Sequence, residues 1–150
     1  MDKYKEIDFE ILIKISIGLI LIVLNCVIAN SQPLFSIFVT PMIIPFICLM
    51  MNYVLIKRSF QVFVTTGYAF LLINDLLIRL RAIEIGDTEG NSFIFLSFLI
   101  TYLIISLGFW IYFFTKHLEN KRKNMIILLI SMVFVFIEYS MIQLKIGIKN

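Results

Sequence analysis

Asp75 and Arg79 stand four residues apart inside an apolar stretch, with Asn74 beside the first and Tyr68 seven residues before it. A second carboxylate, Glu138, lies inside another apolar stretch. A carboxylate and a guanidinium one helical turn apart can form an ion pair. A carboxylate kept from water can instead take up a proton, a cation or the basic group of a ligand. Three chemistries are open to such residues: polar cross-links between helices, proton or cation transfer through an apolar barrier, and base catalysis on a lipid.

The elements that position these residues are membrane helices. The 150 residues are 61% hydrophobic, with a mean hydropathy of +0.99, and the apolar residues come in long runs. Runs at about 11–29, 34–56, 62–80, 92–114 and 125–144 have spanning length. The expected fold is an all-α polytopic bundle of five transmembrane helices, forming a single transmembrane domain over 1–150. Lys14 is close enough to the end of its run to snorkel to the interface. The leader before it is rich in acids and the run is longer than a signal core, so the first span is expected to be retained. Pro41 and Pro45 in the second run each remove a backbone donor, which predicts a kink or a break into two pieces. Cys26 and Cys48 read as buried thiols at different depths.

Charge sets the expected orientation. With five spans, Lys3, Lys5, Lys57, Arg58, Lys116, Lys121, Arg122 and Lys123 share one side of the membrane. Arg79, Arg81, Lys145 and Lys149 lie toward the other, with Glu84, Asp87 and Glu89. The positive-inside bias predicts a multi-pass protein of the cell membrane with its N-terminus in the cytoplasm and its C-terminus outside. Trp110 and Tyr112 then fall in the cytoplasmic aromatic belt.

Counting from the outer helix ends, Asp75 is six residues from Arg81 and Glu138 seven from Lys145. Both carboxylates are thus expected about 10 Å below the outer surface. Tyr68, Asp75 and Arg79 fall on one stripe with Thr65 at its margin, and Ser131, Glu138 and Lys145 repeat at seven. Both stripes are expected to face inward. A lone charge in the bilayer costs about 2.5–3.5 kcal/mol. Asp75 is therefore expected to pair with Arg79, and Glu138 to be protonated or bonded to Tyr68, Tyr102 or Asn74, unless these groups form an outward-facing acidic pocket.

Other signals are fewer. The acidic loop residues Glu84, Asp87 and Glu89 match no calcium-loop spacing and read as a cap over the start of the fourth span, where Ser92 can serve as N-cap. His117 is the only histidine and sits in the basic loop, which argues against histidine-based metal sites and catalytic triads. No cofactor, metal or nucleic acid is expected. The basic run reads as an anchor to anionic headgroups. Ser97, Thr101 and Gly108 form a small-residue stripe suited to close helix contact, within the bundle or between copies. The abundance of Ile, Phe, Lys and Asn fits an AT-rich bacterial genome.

The expected partners are the bilayer and other membrane subunits or copies of the same chain. The function expected first is that of a non-enzymatic subunit or partner in a larger membrane assembly. The alternative is a proton or cation channel or transporter using Asp75 and Glu138, followed by a membrane-embedded lipid-modifying enzyme.

Overall fold

Within one segment, the α-helix pairs all its interior backbone N–H and C=O groups without water, which is why long apolar runs adopt it in hydrocarbon. The computed structural model consists of α1 (Asp2–Ser31), α2 (Pro33–Arg58), α3 (Phe60–Ile85), α4 (Gly90–Thr115) and α5 (Lys121–Gly147), with no strand among the described residues. The backbone is described for residues 2–85, 90–116, 118 and 120–147. Side chains are described for 9–32, 34–35, 37–51, 59–80, 94–116, 118 and 120–141.

The chain is thus a helical membrane bundle. Phe9–Ser31, Phe60–Leu80, Ile94–Thr115 and Lys121–Met141 are each long and apolar enough to cross a membrane. In α2 the apolar segment among the described residues is shorter, Ile37–Met51, within a helix of 26 residues. That helix is about 39 Å long at 1.5 Å per residue, which exceeds the hydrocarbon thickness. Pro41 and Pro45 lie inside it, and of the two expected outcomes, a kink or a break into two pieces, the break is not found. Their missing donors fall one turn apart on the same side of α2, leaving the rest of the hydrogen-bond ladder intact. α1, α3 and α4 all pack against α2.

Single residues join the first three helices. At Gln32 the backbone N–H donates to Ile28 O (2.8 Å), and Phe35 N–H donates to Gln32 O (3.0 Å). Ser59 caps α3, its Oγ accepting from Gln61 N–H at 3.2 Å. So short a link makes sequential helices antiparallel neighbours. Asn120, ahead of α5, takes φ 55°, which asparagine tolerates better than most residues. His117 lies outside the described residues.

α3 packs against all four other helices. Around it the order is α1, α2, α4, α5, because α1 packs on α2, α2 on α4, and α4 lightly on α5. Ile44, Ile47, Val64, Leu71 and Leu128 fill the interior. Cys26 and Cys48 are buried, as expected, and neither is in a disulfide. In lipid there is little hydrophobic drive between helices, so close packing must hold them together. Gly67 on α3 meets that demand. A Cβ there would stand 2.5 Å from Phe109 Cζ and 3.2 Å from Cys48 Sγ.

Aromatic rings fill the end of the bundle formed by the α2–α3 turn and the close of α4. Phe63 meets Phe109 edge-on at 5.1 Å, and Phe60 stacks on Tyr112 at 6.0 Å. Beyond them, Lys116, Lys121, Arg122 and Lys123 are exposed.

Candidate functional site

The opposite end of the bundle carries the buried polar groups. Asn25 precedes the α1–α2 turn and Thr40 follows it, so the hairpin brings them level. Asn74, Asp75 and Arg79 occupy the second half of α3, Ser97 lies seven residues into α4, and Tyr139 lies eight before the end of α5. All are one and a half to three turns from the helix ends, so they share a layer about 10–15 Å deep.

Asp75 and Arg79 form an ion pair, with Arg79 Nε donating to Asp75 Oδ2 at 2.7 Å. The two residues are 3% and 2% exposed, so the pair is sealed from its surroundings. Arg79 Nη2 also donates to Tyr139 Oη. The guanidinium carbon lies 4.9 Å from the centre of the Tyr139 ring, and that ring stacks on Phe98 at 3.9 Å. One guanidinium therefore ties α3 to α5, and through the ring to α4. The opposite charges cancel within the pair, which reduces the cost of placing either in a low dielectric.

Next to the ion pair is an amide cluster. Asn25 Nδ2 donates to Asn74 Oδ1 at 2.8 Å and to Thr40 Oγ1 at 3.0 Å. Thr40 Oγ1 can in turn donate to Asn25 Oδ1 at 3.2 Å. This cluster joins α1, α2 and α3. Among the described residues no buried side-chain nitrogen or oxygen lacks a hydrogen-bond partner. Between the two groups lies a cavity of about 10 Å³, lined by Thr40, Asn74, Asp75 and Ser97 with apolar neighbours. It has room for about one water molecule.

The residues expected to form a site thus separate. Asn74, Asp75 and Arg79 come together, and the i, i+4 pairing of Asp75 with Arg79 is present. Tyr68 is buried but lies deeper along α3, where its hydroxyl bonds Ser106 Oγ at 2.9 Å. Thr65 is exposed. The expected partners of Glu138 are engaged elsewhere: Tyr68 with Ser106, Tyr102 with Met132 O at 3.2 Å, and Asn74 with Asn25. Glu138 is half-buried and makes no hydrogen bond or ion pair among the described residues. Tyr139, one residue later, holds the inward position, and one residue turns a helix by 100°.

The side chains of Glu84 and Ser92, all of Asp87 and Glu89, and the Lys145 side chain lie outside the described residues. In the small-residue stripe, Ser97 and Thr101 are buried, whereas Gly108 faces open space with no atom within 4 Å of a built Cβ.

Sequence reasoning missed Asn25, Thr40 and Tyr139. An amide inside the first apolar run was a usable signal, since a membrane amide needs a partner. Nothing in its spacing marks Tyr139. Comparison of the chain with protein-family models, with curated proteins and with solved structures finds no match.

Proposed function

We propose that the chain is a non-enzymatic multi-pass subunit or partner of a larger membrane assembly, its N-terminus cytoplasmic and its C-terminus outside. The observation that supports this reading is the way the polar layer is closed on itself. Asp75 is held by Arg79 at 2.7 Å, Arg79 reaches Tyr139, and Asn25 binds both Thr40 and Asn74. Groups committed to one another in this way stiffen the five helices and leave the lipid-facing surface to carry recognition. The orientation follows from the excess of lysine and arginine on the side of the α2–α3 and α4–α5 connections.

Proton or cation conduction is the second reading. It draws on the cavity beside Asp75, whose polar lining suits an ordered water. A cavity for one water is a short start to a pathway, and Glu138 sits on a different side of α5 from the Arg79–Tyr139 contact. For these reasons conduction ranks below the subunit reading.

Flux through liposomes containing the purified protein separates the two. A subunit gives proton and cation flux at the level of empty vesicles and migrates in native membranes as a complex larger than the monomer. Flux that is abolished by Asp75→Asn in a protein that still elutes as a folded species would replace the subunit reading with conduction.

A further inference from the structure

Four helices surround α3, but they do not close around it. α1 and α5 flank the gap, and neither packs appreciably on the other. Through it α3 exposes Thr65, Ala69, Ile73, Leu76 and Leu80. At 100° per residue these positions, with Val62, cover an arc of about 80° on α3, the width that one further helix takes. The half of this groove between α1 and α3 has a volume of about 420 Å³, with Ile15 and Leu19 on its α1 wall.

Glu138 stands on the α5 wall. Tyr139 stacks on Phe98 and Met132 O accepts from Tyr102, so these two positions mark the edge of α5 turned toward α4. Glu138 and Ser131 each precede one of them by a residue. They therefore lie on the other edge, toward the gap, and both are half-buried. Because Tyr139 receives the bond from Arg79, Glu138 is at the level of the Asp75–Arg79 pair, well inside the apolar part of the bundle. A carboxylate at that depth without a partner is costly, and intramembrane carboxylates pair with a cation or line water.

Resting on the reading that the chain is a subunit, we propose that a different protein's transmembrane helix docks in the α1–α3–α5 groove, its lysine or arginine paired with Glu138. Charge complementarity excludes a second copy from this role. Within the apolar runs at about 11–29, 34–56, 62–80, 92–114 and 125–144 the chain has two cations, Lys14 and Arg79. Arg79 is sealed against Asp75, and Lys14 is paired with Glu10 at 2.8 Å near the opposite end of α1. The exposed Thr65 and Ala69, four residues apart, let the docking helix approach α3 closely.

The test uses the full chain in phosphatidylcholine liposomes and an acceptor-labelled, leucine-rich transmembrane peptide. The peptide carries one lysine at the level of Glu138, or leucine in its place. Energy transfer should report about tenfold tighter association of the lysine peptide, a fold-change equal to about 1.4 kcal/mol. Glu138→Gln should remove that preference, and Ala69→Phe, which fills the groove, should weaken both peptides. Equal binding of the two peptides, a lysine preference that survives Glu138→Gln, or Glu138-dependent pairing between labelled copies of the chain would each overturn the proposal. A native gel of membranes distinguishes the ways of failing. A large complex that persists in Glu138→Gln and Ala69→Phe refutes this surface while the subunit reading stands. Migration of the wild type as a monomer removes both.

Discussion

The two ends of this bundle solve the same problem with different chemistry. At the α2–α3 turn, helices are held by rings in contact, Phe60, Phe63, Phe109, Tyr112 and Phe113, fitted around a glycine. At the α1–α2 turn they are held by an ion pair and an amide cluster. The rings contribute through dispersion and shape, so a loss at one position leaves a void but no unmet demand. The polar groups contribute modest energies when satisfied and large penalties when one member is removed. The comparison teaches that the polar end specifies the arrangement, because its parts match in one geometry only, while the aromatic end tolerates exchange as long as volume is kept.

The largest effect is expected where a charge is orphaned. Arg79→Met should destabilise the protein by about 3–5 kcal/mol, since Asp75 is left buried without its partner. Asp75→Leu combined with Arg79→Met should recover most of that loss. Unfolding in mixed micelles, followed by helix content, measures both. A single variant as stable as the double would mean that the pair does not organise this end.

At the aromatic end, Gly67→Ala should cost about 1–3 kcal/mol by overpacking against Phe109. The second change Phe109→Leu should relieve it. Failure of the smaller residue to rescue would show that this end is as exacting as the other.

Asn25→Val is expected to cost about 1–2 kcal/mol, because it strands the Asn74 oxygen and the Thr40 hydroxyl. Its signature should be loosening of α1, read as faster hydrogen exchange in the α1–α2 hairpin. Tyr139→Phe keeps the stacked ring and removes only the hydroxyl that Arg79 reaches, so about 0.6–1.7 kcal/mol is expected in the same unfolding assay. The smallest effect belongs to Gly108→Ala, which meets nothing within 4 Å. Stability should hold or rise by up to about 1 kcal/mol from helix propensity. A marked loss would mean that a neighbour closes on Gly108 in the membrane.

What could be read in the sequence and what could not divide along physical lines. The five helices were legible because apolar runs near 20 residues long have few alternatives in lipid, and Asp75 with Arg79 was legible because i, i+4 contact is internal to one helix. Contacts between helices depend on how each is rotated against its neighbour, which spacing within one run does not encode. Asn25 and Thr40 meet because a single residue joins their helices. Glu138 shows the limit most clearly. Counting from the helix end places it at the level of the ion pair, yet a 100° turn gives the contact with Arg79 to Tyr139. The prolines show the reverse limit: residue type offers a kink or a break, and only the break is set aside by α2 remaining one helix through both.

The one-residue links at Gln32 and Ser59 have a mechanical consequence. They limit how far α1, α2 and α3 can slide past one another along the membrane normal, so tilting together is the response to a thicker or thinner bilayer that keeps their contacts. α5 follows a longer connection and is moored mainly to α3. Any sliding of α5 along α3 would load the bond from Arg79 to Tyr139, which spans the seam between them.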